Sequence, residues 1–211
     1  MTASRPISKW ALLALLFVVL VAVDQWTKYL AVERLTTLFE RTGATTLGER
    51  VTGFLEHDHL EPLSTEPHYV WRPVWRMNYV ENPGAAWGLF RGHSERFRNT
   101  FFTLISLGAV AFILHYYRRL REEQRYLQVA LALVLSGAVG NFLDRLARGY
   151  VIDFVEWYWW NRPDLRWPTF NVADSLIVVG VAMLVLHPGA GKASQKSGAP
   201  AEGDRRASSG G

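Results

Sequence analysis

The chain has 211 residues, 49% of them hydrophobic, and 23 Lys plus Arg against 19 Asp plus Glu leave a net charge of +4. There is no cysteine, which excludes disulfide frameworks, thiolate metal sites, cysteine nucleophiles and a lipidated cysteine on the chain itself. No basic stripe with interleaved aromatics stands out, so the mild positive charge does not point to nucleic acid. The apolar residues gather into four blocks with charges in the gaps, a distribution unlike that of a single soluble core.

The first block, Trp10 to Val23, carries no charge, and its pattern continues through Asp24-Gln25-Trp26-Thr27-Lys28 into Val32. Residues 9–32 as a helix reach roughly 36 Å at ~1.5 Å per residue, enough to cross a ~30 Å hydrocarbon core. Arg5 and Lys9 resemble the basic start of a secretory leader, but no small-x-small cleavage site follows, so a retained helix is predicted. An outer loop follows over about 33–98. Within it, Tyr69 to Val80 mixes aromatic, β-branched and arginine residues and predicts one or two short strands. The second span is predicted from Thr100 to Tyr117, the third from Tyr126 to Ala147 and the fourth from Phe170 to His187. Ser136, Gly140 and Gly180 are candidates for close helix contacts. Between the third and fourth spans, Trp157, Trp159, Trp160 and Trp167 suit the membrane–water boundary.

The short loop 118–125 holds four arginines in eight residues, so the positive-inside rule makes it cytoplasmic, together with both termini. The fold expected is an all-α integral membrane protein of four transmembrane helices. A small β-rich periplasmic element lies between helices 1 and 2. Residues 1–190 form the membrane domain, and 191–211, rich in Gly, Ala and Ser, a disordered cytoplasmic tail.

Ionisable groups inside a span are expensive, and so mark function by default. Asp24 and Lys28 are four apart on one face of the first helix. Asn141, Asp144 and Arg145 share a face of the third. Asn171 and Asp174 open the fourth, and Asp153 lies just before the tryptophan segment. All fall toward the outer helix ends, at one depth. Asp24 with Lys28, and Asp144 with Arg145, are expected as structural pairs, while Asp174 could also cap its helix. Asp153 and Asp174 come from separate segments and aim at one pocket. Neighbouring carboxylates in a low-dielectric site share a proton, so one can take a proton from water while the other donates to a carbonyl.

In order, these motifs resemble the lipoprotein signal peptidases (signal peptidase II), membrane aspartyl peptidases of bacteria. Asp24-Gln-Trp-Thr-Lys28 matches D-x-x-[ST]-K, and Asn82-Pro-Gly-Ala-Ala-Trp-Gly88 matches N-x-G-A-[AS]-[FW]-G. Gly140-Asn141-Phe-Leu-Asp144-Arg145 matches G-N-x-x-D-R, Gly149-Tyr-Val-Ile-Asp153-Phe154 matches G-x-V-x-D-F, and Phe170-Asn171-Val-Ala-Asp174-Ser175 matches F-N-x-A-D-S. The resemblance implies that Asp153 and Asp174 are the catalytic pair and that Asn82, Asn141, Arg145 and Asn171 line the site. It implies that Asp24 and Lys28 hold the outer end of the first helix to it. The substrates implied are diacylglyceryl-modified prolipoproteins, cut on the N-terminal side of the lipidated cysteine at the periplasmic face of the inner membrane. No cofactor, no metal and no obligate protein partner beyond substrate and membrane lipid are implied.

Residues 36–69 exceed what the pattern needs and are expected to be a polar insertion. Its His57, Asp58, His59 and His68 invite a metal reading, but His-x-His spacing without a framework favours solvated loop histidines. Motifs of serine, G-x-G-D and zinc intramembrane proteases are absent. The alternative from another class is a small ion- or proton-coupled transporter using intramembrane carboxylates. Four spans without an inverted repeat speak against it.

Overall fold

The computed structural model describes residues 7–56, 59–84 and 94–187. The first helix, α1 (Lys9–Leu35), starts where Ser8 Oγ accepts the Ala11 N–H, one of the orphan donors of a helix start. It runs three residues past the predicted span, to Leu35, which is buried. The described residues of the stretch 36–69 then fold into α2 (Leu38–Thr42), α3 (Leu47–Glu56), a 3-10 turn (Glu61–Leu63) and the start of β1 (His68–Trp71). Strand β2 (Trp75–Asn82) follows, then the long helices α4 (Glu95–Arg119) and α5 (Arg125–Arg148). Strands β3 (Val151–Trp159) and β4 (Arg162–Arg166) lead to α6 (Val172–Val185). All four predicted apolar segments are helical.

Among the described residues three helices, α1, α4 and α5, are long and apolar enough to cross a membrane, while α6 is a shorter apolar helix of 14 residues. The protein is a multi-pass membrane protein. Chain direction alternates along the bundle. Lys9 Nζ donates to the carbonyls of Arg118 and Leu120, and Arg125 donates to the Ile7 carbonyl. Tyr126 touches the His187 ring, with centroids 5.5 Å apart. The start of α1, the arginine loop and the end of α6 therefore share one end of the bundle. Small residues let α5 and α6 close up: a Cβ on Gly180 would fall 2.8 Å from the Ala130 carbonyl oxygen, and one on Gly137 would fall 2.3 Å from that of Ala173. Ser136 turns instead into its own helix, donating to the Ala132 carbonyl.

The fold is not all-α. At the opposite end of the bundle lies a four-stranded antiparallel sheet of order β1-β2-β3-β4. The first hairpin is the β-element expected between the first two spans. The second is built from the tryptophan segment, whose composition masks the alternation of Val151–Trp159. Trp159 pairs with Arg162 across Trp160 and Asn161, whose φ values of 32° and 60° supply the positive angles that a two-residue hairpin turn favours.

Two cores result. One lies inside the bundle around Leu13, Ile113, Tyr117, Leu131 and Leu135. The other, beneath the sheet, joins Tyr29, Val32, Tyr79, Ile152 and Phe154 with Leu38, Phe39, Phe54 and Leu60. Residues 36–69 thus carry part of the core, and are no polar appendage. Arg148 fastens them to α5, donating to the Phe54 carbonyl at 2.7 Å.

Candidate active site

Where α1, α5 and α6 meet the sheet, the polar residues of the spans join in one hydrogen-bonded cluster. Lys28 is fully buried and lies 2.8 Å from both Asp24 Oδ2 and Asp144 Oδ2, and it also donates to Asn141 Oδ1 at 3.2 Å. A buried ammonium needs such compensation. The other Asp24 oxygen accepts the Ala173 N–H at 2.9 Å, which ties α1 to the first turn of α6. Asp144 Oδ2 accepts the Ile152 N–H, fixing the start of β3.

The expected Asp144–Arg145 pair does not form. Consecutive helix residues diverge by about 100°. Asp144 instead faces Lys28, with Arg148 one turn away at 3.6 Å. Arg145 donates to the Asn141 and Gly84 carbonyls and lies over the Phe102 ring at 4.8 Å. Its buried Nε–H has no partner among the described residues. Sequence reading also passed over Gln25, inside D-Q-W-T-K, which donates to Asp144 Oδ1 at 3.0 Å and spans α1 and α5.

Asn171 joins the two candidate carboxylates. It caps α6 in a capping box: its side chain accepts the Asp174 N–H at 2.9 Å, and Asp174 Oδ2 accepts the Asn171 N–H at 3.1 Å. Its Nδ2 donates to Asp153 Oδ1 at 2.8 Å, to Asn141 Oδ1 at 3.1 Å and to the Ile152 carbonyl at 3.2 Å. Asn141 Nδ2 in turn donates to Asp174 Oδ1 at 2.7 Å. Asp153 is buried and Asp174 half-buried. Burial first, and the Asp174 charge second, push the Asp153 carboxyl up to about 8, against the Asn82 hydrogen bond, the Lys28 charge and the Asn171 hydrogen bond.

A bulge brings Asn82 to Asp153. Met77 pairs with Val155 but Val80 with Asp153, so Asn78 and Tyr79 stand opposite Phe154 alone. The extra residue shifts register by one, which moves Asn82 to the face that carries Asp153. Asn82 Nδ2 then donates to Asp153 Oδ2 at 2.9 Å. On the other face, fully buried Glu156 holds the bulge: it pairs with Arg76 at 2.5 Å and accepts from Asn78 Nδ2 at 3.3 Å. Phe154 and Val155 both donate to the Phe170 carbonyl, which seats β3 beside the start of α6.

All eight residues singled out for the site, Asp24, Lys28, Asn82, Asn141, Arg145, Asp153, Asn171 and Asp174, thus lie in this one region. The stretch from Ala85 to Gly88, like His57, Asp58, His93 and the tail, lies outside the described residues. His59 contacts Glu81 at 3.1 Å and stacks on Tyr150, and His68 sits in β1, neither of them in the cluster.

Helices long and apolar enough to cross a membrane, with two carboxylates linked through Asn171 in a polar cluster at one end, define a membrane protein with a candidate acid–base site. The family model described as signal peptidase (SPase) II matches residues 16–188. A lipoprotein signal peptidase of Anaeromyxobacter sp. (strain Fw109-5) is 88% identical over 211 residues, all of both chains. That of Symbiobacterium thermophilum is 37% identical over 82% of this chain and 90% of its own. A bacterial membrane enzyme solved by the in meso method at 2.3 Å shares the fold, with TM-score 0.58 and 24% identity over 92% of this chain and 94% of that one. The chain belongs to the signal peptidase II family. It is a protease.

Proposed function

We propose that the protein removes the signal peptide from diacylglyceryl-modified bacterial prolipoproteins by aspartyl chemistry, cutting N-terminal to the lipidated cysteine. The observation that carries the reading is Asn171 holding Asp153 and Asp174 together. α6 serves as the fourth span. Both termini and loop 118–125 are cytoplasmic, and the site opens at the periplasmic face of the inner membrane.

At neutral pH Asp153 holds the shared proton. Asp174 takes a proton from water as the oxygen adds to the scissile carbonyl carbon, and Asp153 gives its proton to the carbonyl oxygen. The tetrahedral diol then collapses: the C–N bond breaks, Asp174 passes its proton to the departing cysteine nitrogen, and Asp153 recovers one from a hydroxyl. The balance closes without metal or covalent intermediate. Asn82 and Asn171 orient Asp153, Asn141 orients Asp174, and the Nε–H of Arg145, which has no partner among the described residues, is available to a substrate carbonyl. Asp24 and Lys28 hold α1, α5 and α6 in register. Trp157, Trp159, Trp160 and Trp167, all exposed, rim the approach for acyl chains, each buried CH₂ contributing ~0.8 kcal/mol. A transporter would string its carboxylates along a path, whereas these form one cluster.

The test is cleavage of a purified diacylglyceryl-prolipoprotein, with the unmodified precursor as control. Asp153→Asn and Asp174→Asn should each abolish turnover, and the double variant should lose little more, as for residues acting as a unit. Equal cleavage of both precursors would remove lipid recognition. Turnover surviving in either single variant would remove the catalytic pair.

A further inference from the structure

Helix α3 presents three different sides. A capping box opens it: Glu49 N–H donates to Thr46 Oγ1 at 3.3 Å, and Glu49 Oε2 accepts the Thr46 N–H at 3.0 Å. At about 100° per residue, Phe54, Arg50 and Gly53 form one sector. It faces the protein: Phe54 is buried, a Cβ on Gly53 would fall 3.6 Å from the Phe39 ring, and Arg50 pairs with Glu33 at 2.6 Å. Glu49, Thr52 and Glu56 form a polar sector. Between these two lie Leu47, Val51 and Leu55, at i, i+4 and i+8, which are 64%, 39% and 54% exposed.

The height of α3 is set by its anchors. Glu33 is two residues from the end of α1, and Arg148, whose guanidinium stacks on Phe54 at 4.2 Å, ends α5. Both helices cross the membrane, and these are their ends on the sheet side. α3 is therefore fastened where the spans leave the hydrocarbon.

We propose that the Leu47–Val51–Leu55 stripe beds into the bilayer leaflet on the sheet's side, at the boundary between headgroups and acyl chains. A helix at that level with one side on protein and an acidic side for water has lipid left for its third. Three side chains on a ten-residue helix fall far short of the roughly 800 Å² per partner of a specific protein interface. The acidic side gives no attraction to anionic headgroups, so apolar burial alone seats the helix. The sheet and the cluster beneath it are thereby held at a fixed depth.

The chain has no cysteine, so single-cysteine variants need no other change. Val51→Cys, Leu55→Cys, Glu49→Cys and Glu56→Cys are made in the full chain, spin-labelled, and reconstituted in phosphatidylcholine vesicles with and without phosphatidylglycerol. Labels at 51 and 55 should be reached by oxygen in preference to a water-soluble nickel chelate. Labels at 49 and 56 should show the reverse, in both lipid mixtures. Nickel access at 51 and 55 equal to that at 49 and 56 would put the stripe in water and overturn the proposal. So would exclusion of both reagents, which means protein cover, and dipolar broadening that disappears on dilution with unlabelled chain, which means a second copy. Lipid contact that appears only with phosphatidylglycerol would overturn the apolar basis.

Discussion

Gly140 on α5 and Asp24 on α1 approach so closely that no side-chain carbon fits between them: a Cβ on Gly140 would fall 2.5 Å from Asp24 Oδ2. That oxygen pairs with Lys28, and its twin holds the Ala173 N–H at the start of α6. The carboxylate is thus fixed from two sides. Gly140→Ala should force the three helices apart and destabilise the protein by roughly 1–3 kcal/mol, the range for overpacked interiors. The melting temperature in detergent should fall and kcat/KM with it, since α6 carries Asp174. An alanine variant that melts and turns over like the parent would show that the helices separate freely.

The raised Asp153 carboxyl sets a pH dependence. The folded chain keeps a proton that the unfolded chain releases near 3.8, so this group's stability contribution is complete below that value. It is lost as pH rises through about 8. Turnover that needs the proton on Asp153 should fall on the alkaline side of about 8. Asn82 donates to the ionised form, and its loss should move this limb upward. A hydrogen bond to a charged group is worth roughly 1.5 kcal/mol and a pKa unit about 1.4, so Asn82→Ala should shift it by about one unit. Glu156→Gln, which loosens the bulge that aims Asn82, should shift it in the same direction. Profiles of kcat/KM against pH decide the matter, and a limb that stays or moves down contradicts the assignment.

The apolar helices were legible because lipid demands long apolar runs, and the polar cluster because Asp24, Lys28, Asp144 and Asp174 stand out against them. Partnership was less legible. Asp144 sits next to Arg145 in sequence, yet adjacency on a helix runs three or four residues on, and its main partner Lys28 comes from another span. Gln25 was hidden in a position the motif leaves open. The register shift that delivers Asn82 is a two-strand property that neither strand shows alone. In residues 36–69 the core side chains Leu38, Phe39, Phe54 and Leu60 are sparse among polar neighbours. The Thr46-x-x-Glu49 capping box was the available signal there.

That segment gives the next prediction. Phe54 packs edge-on against Tyr29, with ring centroids 5.7 Å apart, and lies under the Arg148 guanidinium. Phe54→Ala should destabilise by about 3–5 kcal/mol, as large-to-small aromatic changes in a core do. A flexible linker in place of 36–69, tolerable for a surface insertion, should lose more, because it removes Leu38, Phe39 and Leu60 as well. Thermal unfolding of the purified variants measures both. A linker variant as stable as the parent would return the segment to a dispensable loop.

Asn171 combines two tasks that substitution can separate. Its Oδ1 caps α6 by accepting the Asp174 N–H, and its Nδ2 donates to Asp153, Asn141 and the Ile152 carbonyl. Aspartate and serine cap helices about as well as asparagine, so Asn171→Asp and Asn171→Ser should both keep α6 started. Neither can donate as the amide does. Serine is too short to reach Asp153, which leaves a buried acceptor without its donor. Aspartate sets a further oxygen against Asp153 Oδ1, where the amide nitrogen stood at 2.8 Å, and repels the charge that must form there. Both variants should insert and melt cooperatively. Turnover should fall by about 10²-fold or more in Asn171→Asp, the scale for loss of one pre-organised donor, and less in Asn171→Ser. The alkaline limb should move upward in both, because each loses a hydrogen bond to ionised Asp153. If both fold and cleave lipidated precursor at the parent rate with an unmoved limb, Asn171 is a cap alone and the two carboxylates do not depend on it.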